Sequence, residues 1–319
     1  VVFGESSHLD EEQDIAPPTP VVATKRPPRP RTPPIVVEET AKSKPTAPQL
    51  VPRPEEVALA PARGDFEASI ERFIKAQRRA GKLSSNEKTG WMVYDLTRGK
   101  SLVDINADKV FQAASMIKPF VALAFFHRVK EGTLKYGPKS RRNMELMIQR
   151  SNNPATNWVM RMAGGPAEVD KLLRSHYGSI FKNTRIVEYI PSGGRTYKNS
   201  ALPSDYIRFL QALWSKKLPY GKEIRRLMSL PGRDRLYNGT PIPRGTLVYN
   251  KTGSTARLCG DMGILVAKDQ KGNRYPYALV GIIERDTRAS NYGNWMLTRG
   301  NVIRQVSTLV YKELKKQYK

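Results

Sequence analysis

From Asp65 onward, apolar residues recur at helical spacing, with Phe66, Ile70, Phe73 and Ile74 on one face, and the spacing predicts a helix. The pattern then changes. Trp91-Met92-Val93-Tyr94 has strand composition, Thr97-Arg98-Gly99-Lys100 has turn chemistry, and Ser101-Leu102-Val103-Asp104-Ile105 reads as the returning strand of a hairpin. Helical patterns follow over about 115–130, 142–163, 166–175 and 204–215. Three strand-like runs come late, Thr246–Lys251, Met262–Ala267 and Tyr275–Ile283, before an amphipathic helix from about Val302 to Lys315. A helix, two strands, a helical block, three strands and a helix predict an α/β domain whose sheet is assembled from two distant halves of the chain around a helical insertion. No internal repeat is visible.

Upstream of this domain the patterning fails. Thirteen of the 24 prolines fall before Gly64, in stretches such as Lys25-Arg26-Pro27-Pro28-Arg29-Pro30. The low apolar share of 39% is explained if residues 1–63 are a disordered, polyproline-biased spacer whose contribution is reach. Residues 64–319 then form the folded domain, with its helical part over about 108–215. Eight of the 54 Lys and Arg residues and nine of the 29 Asp and Glu residues lie in the spacer, so the domain holds 46 bases against 20 acids, a net of +26. That excess favours anionic partners such as a cell-wall surface. Nucleic acid is not expected, because no aromatic-rich binding motif accompanies basic pairs such as Arg141-Arg142 and Lys216-Lys217. The lone Cys259 excludes an intrachain disulfide and any cysteine-based zinc cluster. No run of 18 apolar residues occurs, and Val1-Val2-Phe3 reads as the trimmed end of an export signal or anchor.

Histidine is too scarce for most catalytic schemes. Outside the spacer there are only His127, in an apolar helix, and His176, in a short basic one. Read singly, each is structural, and no metal site is expected. No glycine-rich phosphate loop precedes a helix. A serine activated by a lysine needs neither group, provided the amine is close and its pKa is depressed. Ser-x-x-Lys on a helix satisfies the geometry, because positions i and i+3 share a face. The pattern occurs three times, at Ser85/Lys88, Ser115/Lys118 and Ser179/Lys182. Only Ser115 opens an apolar helix and is followed by Ser151-Asn152-Asn153 and then Lys251-Thr252-Gly253-Ser254-Thr255. The decoys Ser84-Ser85-Asn86 and Lys88-Thr89-Gly90 crowd one loop ahead of it.

Ser-x-x-Lys, Ser-x-Asn and Lys-Thr-Gly in this order resemble the motif set of the penicillin-recognising serine enzymes, the β-lactamases and penicillin-binding proteins. The run Met147–Asn157 with Gly164-Gly165-Pro166 is similar to the class A β-lactamase branch, and the likeness spans about 65–315. It implies a class A β-lactamase-like α/β fold, with an antiparallel sheet, terminal helices on one face and an inserted all-α subdomain. It also implies roles. Ser115 attacks a carbonyl, and Lys118 is the base, directly or through water. Ser151, helped by Lys251, relays a proton to the leaving nitrogen, and the N–H groups of Ser115 and Ser254 bind the oxyanion. Asn153 holds the substrate amide, Thr252 and Thr255 grip its carboxylate, and Gly253 permits close approach of the substrate to the strand. No cofactor is needed.

Two departures from the class A pattern shape the expected function. The Ser115 to Ser151 span is short, which predicts an open cleft. Between Gly164 and Pro203 there is no Glu-x-x-Leu-Asn, the motif that supplies the deacylating carboxylate; Glu188 lies near the place, but Val187 and Ile190 fall there in neighbouring registers. The leading expectation is an extracytoplasmic, monomeric acyl-enzyme hydrolase or transpeptidase acting on D-Ala-D-Ala-like peptides and slow to release β-lactams. The alternatives are a true β-lactamase using Glu188 and a non-catalytic module that binds the cell wall or another polyanion.

Overall fold

The computed structural model describes residues 64–319; the spacer read over 1–63 lies outside the described residues. Helix α1 (Asp65–Arg79) leads into β1 (Glu87–Asp95), β2 (Lys100–Ile105) and a short β3 (Phe111–Gln112). Then come α2 (Lys118–Lys130), α3 (Pro138–Ile148), α4 (Asn153–Met162) and α5 (Pro166–Tyr177). A short β4 (Ser200–Ala201), α6 (Pro203–Trp214) and α7 (Gly221–Ser229) complete the middle. The strands β5 (Leu247–Thr255), β6 (Leu258–Lys268) and β7 (Arg274–Arg285) precede α8 (Tyr292–Gln317). The five long strands form one antiparallel sheet in the order β2-β1-β7-β6-β5. The early hairpin joins the late strands in one sheet, as the element order predicts, and the structure places the junction between β1 and β7.

Strand alternation divides the core into two layers. Trp91 and Val93, with Tyr277, Leu279 and Ile283, pack against Ile70 and Ile74 of α1 and Ile303, Val306 and Val310 of α8. Met92, Ala278, Val280, Ile282 and Ile264 face the opposite way, onto Phe111, Phe120, Tyr206 and the other helical residues. Gly281 belongs to the first set by register. A Cβ there would stand 2.7 Å from the Trp91 ring, so only glycine lets the indole lie flat on the sheet.

The structure revises two of the expected elements. The helical run expected over 142–163 is two helices, broken at Ser151, whose φ of 55° lies in the left-handed region. The Asn152 side chain then caps α4 by accepting from the Ala155 N–H at 2.8 Å. The helical part extends past 215 to include α7, whose charged residues obscure its short apolar stripe of Ile224, Leu227 and Met228. The two histidines, far apart in sequence, meet: the His127 and His176 ring centroids are 4.3 Å apart. With Glu131 they make the one group of potential metal ligands among the described residues. His127 bonds Tyr177 Oη at 2.7 Å and Glu131 at 3.2 Å, which gives both ring nitrogens partners in the fold.

Candidate active site

Ser115 lies in the helical turn Ala114–Ile117, which runs directly into α2. Residues 118–127 of α2 are all buried. The Phe120 ring packs at steep angles against those of Phe181 and Phe209, at centroid distances of 4.6 and 5.0 Å, which anchors the segment carrying Ser115 and Lys118. Ala114, just ahead of the serine, has φ 46°. Such a backbone conformation costs a non-glycine residue on the order of 1 kcal/mol and persists only where its surroundings enforce it. Here the Ala113 N–H donates to the Asn199 carbonyl at 2.8 Å, and β3 pairs with β4 immediately upstream.

The Lys118 amine is fully buried and touches three oxygens: Ser151 O at 2.7 Å, Asn153 Oδ1 at 2.9 Å and Ser151 Oγ at 3.1 Å. Burial, with the Lys251 cation as a second cause, pulls its pKa down to about 6. At neutral pH it is thus an uncharged amine with two hydrogens and one lone pair. The carbonyl and the amide oxygen can only accept, so they use the two hydrogens and leave the lone pair for a hydroxyl proton. Lys251 donates to the other side of Ser151 Oγ at 3.1 Å, and to its neighbour's carbonyl, Thr252 O, also at 3.1 Å. Burial lowers its pKa to about 8, the buried Asp261 opposing and Arg235 and Arg233 adding to the fall. Ser151 is thereby held between a proton acceptor and a proton donor.

β5 is an edge strand, hydrogen-bonded to β6 alone in the sheet, so its outer side is open to an extended substrate. Ser115, Ser151, Asn153, Lys251, Thr252, Ser254 and Thr255 all line one cavity of about 960 Å³. One role drawn from the sequence changes. Gly253 does not line this cavity; a Cβ there would stand 2.9 Å from Met116, so the glycine makes room for the turn beneath Ser115 and not for substrate. Thr255 stays on the cavity wall: its hydroxyl oxygen accepts from the Arg257 N–H at 3.1 Å, which leaves its proton to donate to a substrate carboxylate. The competing serine–lysine pairs stand elsewhere: Lys88 pairs on the surface with Asp286 at 3.3 Å, and Ser179 and Lys182 follow α5, outside the cavity lining.

A family model described as the β-lactamase enzyme family matches residues 69–140 and 139–314, which hold every one of these side chains. The chain belongs to that family. The fold is shared with solved members. The structure of the penicillin-binding protein PBP-A is 24% identical over 81% of this chain and all of its own, with a TM-score of 0.65. A single-residue variant of PBP-A is known as an acyl-enzyme complex with penicillin G. A β-lactamase from Chitinophaga pinensis DSM 2588 is 16% identical over 79% of this chain and all of its own, with a TM-score of 0.64. No curated protein matches the sequence.

Within this β-lactamase-family scaffold, the loop between α5 and β4 is where the chain departs from the class A motif. Asn157 on α4 clamps Ile190 through both backbone groups, donating to its carbonyl and accepting from its N–H, each at 2.8 Å. The residue held against α4 is therefore aliphatic and buried. Glu188 is placed otherwise. Its carboxylate accepts from Thr196 Oγ1 at 2.9 Å and from the Lys198 N–H at 3.2 Å, and it does not line the cavity. Asn199, fully buried, completes the loop by accepting from the N–H groups of Val187 and Glu188.

Two supporting residues escaped the motif reading. Arg235 is buried beneath β5 and donates to Ser254 Oγ at 2.7 Å and to Gly260 O at 2.8 Å. Asp261, which burial pushes up to about 6, accepts from the Arg235 N–H at 2.6 Å and from Asn250. Neither belongs to a local motif. Asp261 carried one signal, a charged residue inside the otherwise apolar run of β6; Arg235, in a polar loop between α7 and β5, carried none.

Proposed function

We propose that this protein is an extracytoplasmic acyl-enzyme hydrolase or transpeptidase that acts on D-Ala-D-Ala-like peptides and is acylated by β-lactams but releases them slowly. Neutral Lys118 takes the Ser115 hydroxyl proton, directly or by relay through Ser151 Oγ, which gives up its own proton to the amine at 3.1 Å and takes that of Ser115. As it does so Ser115 Oγ bonds to the substrate carbonyl carbon, and the resulting oxyanion accepts from the N–H groups of Ser115 and Ser254. The carbon–nitrogen bond then breaks. Ser151 passes its proton to the leaving nitrogen and regains one from Lys118, which returns to its neutral form. Lys251 and Thr252 hold the substrate carboxylate.

The observation that carries the slow-release reading is the pairing of Asn157 with Ile190, while the Glu188 carboxylate is engaged by Thr196 and Lys198. Hydrolysis of the ester needs a base beside a water, worth roughly 10² to 10⁴ in rate, and no aspartate or glutamate among the described residues lines the cavity. Intact-protein mass spectrometry after benzylpenicillin treatment should show one long-lived adduct, absent in Ser115→Ala. Fast multiple-turnover nitrocefin hydrolysis that collapses in Glu188→Gln would instead establish a β-lactamase.

A further inference from the structure

The cavity beside Ser115 is lined by Lys251 and by Arg150, Arg195, Arg233 and Arg288, with no acidic residue among the described residues of its wall. One substrate carboxylate accounts for Lys251, and it does not account for four arginines. All four are exposed and make no ion pair among the described residues. Some arginines outside the cavity are paired, as Arg128 is with Glu131 and Arg226 with Glu145 and Glu223, and others, such as Arg142 and Arg274, make no ion pair among the described residues. What sets the cavity apart is that four gather on one concave wall that holds no acid. Unmatched like charges gathered around a concave site raise the local potential and favour an anionic ligand.

The four come from four connections and fall into two sets. Arg150 and Arg233 flank the end where β5 enters: Gln149 donates to the Pro231 carbonyl at 3.0 Å, and Asn250 donates to the Arg233 carbonyl at 3.2 Å. Arg195 and Arg288 belong to the other end. The Ala289 N–H donates to the Ala256 carbonyl at 2.8 Å, which fastens Arg288 beside the exit of β5. Arg195 follows Gly194, whose φ is 69° and where a Cβ would stand 3.0 Å from Asn153 Nδ2. That loop therefore reaches the side chain assigned to the acyl-side amide. Across it, the Arg257 guanidinium lies over the Tyr197 ring at 5.0 Å and ties the loop to the β5–β6 turn.

We propose that the cleft selects acyl donors carrying a second carboxylate on the acyl side of the scissile bond, held by Arg195 and Arg288. A planar guanidinium recognises a carboxylate by two parallel hydrogen bonds, so a pair of arginines on two anchored loops gives geometric as well as electrostatic selection. The substrate class is a peptide whose acyl half bears a free carboxylate. The inference rests on Ser115 being the nucleophile of the proposed function.

Benzylpenicillin and carbenicillin separate the two claims, because they share the leaving side and differ by one carboxylate on the acyl side chain. Second-order acylation of the full chain, followed by intact mass, should favour carbenicillin by about fivefold or more at low salt, the advantage shrinking as salt is raised. In Arg195→Gln/Arg288→Gln the ratio should fall to about one. In Lys171→Gln/Lys316→Gln, which removes two charges outside the cavity, it should stay at the parent value. Equal rates in the parent, or a preference that survives Arg195→Gln/Arg288→Gln, overturn the proposal while leaving the proposed function standing. Failure of both penicillins to acylate Ser115 removes the proposed function, and this inference with it.

Discussion

At the residue scale, reactivity is set by desolvation. Lys118 and Lys251 sit on either side of Ser151 Oγ, and burial lowers both, to about 6 and about 8. Acylation needs Lys118 neutral, so its second-order rate rises with pH through about 6. It needs Lys251 charged to hold the substrate carboxylate, so the rate falls above about 8. The two steps belong to the coupled pair. Stopped-flow acylation by benzylpenicillin, which stays ionised throughout, should give a bell between these limbs, and a rate still climbing at pH 10 would show Lys118 to be an ordinary lysine. The identity of these residues was legible from the order of three short motifs. Their protonation states were not, because burial is a property of the whole surrounding core. Nor was the role of Gly253, which depends on Met116, more than a hundred residues away in sequence.

At the element scale, the strands were legible from composition: Trp91-Met92-Val93-Tyr94 is a continuous apolar run because its members go alternately to two buried layers. The break at Ser151 was not, since Gln149-Arg150-Ser151-Asn152 continues a helical pattern while one left-handed residue ends the helix. The α5–β4 loop posed a similar problem. Glu188 lay near the deacylating position, with Val187 and Ile190 falling there in neighbouring registers on either side. Neither Glu188 nor Ile190 lines the cavity, and the Asn157 clamp, which holds only Ile190 against α4, favours that register. A carboxylate installed at the clamped position should supply what the loop lacks. Ile190→Glu is expected to shorten the penicilloyl lifetime by about tenfold or more. Circular dichroism serves as the control, because Ile190 is buried and a folded variant is required. A folded Ile190→Glu with an unchanged adduct lifetime would show that the missing base is not what limits release.

At the scale of the whole molecule, the sheet closes through pairing between β1 and β7, which lie nearly two hundred residues apart in the chain. Element order announced an insertion, but not which late strand receives the hairpin. Beside that junction, one buried ion pair fastens β1 to the last helix. The Glu87 carboxylate accepts from Arg299 Nη2 and Nε, each at 2.9 Å, from the Ser84 N–H at 2.7 Å and from the Trp295 indole, joining the start of β1 to α8. Burial acts to raise the Glu87 pKa, but the Arg299, Ser84 and Trp295 hydrogen bonds outweigh it and hold the carboxyl below its ordinary value. A carboxyl whose pKa is lower in the folded state stabilises the fold above its unfolded pKa, and that contribution is lost as pH falls through the folded one. Arg299→Leu leaves a buried carboxylate without its cation and should cost about 3–5 kcal/mol near neutral pH, whereas Glu87→Leu/Arg299→Leu, which removes both charges, should cost much less. Denaturant unfolding at pH 7 and pH 3.5 tests this: the Arg299→Leu deficit should narrow at the lower pH, where protonation relieves the orphaned carboxylate. A deficit equal at both values would mean that α8 is held by its apolar face alone.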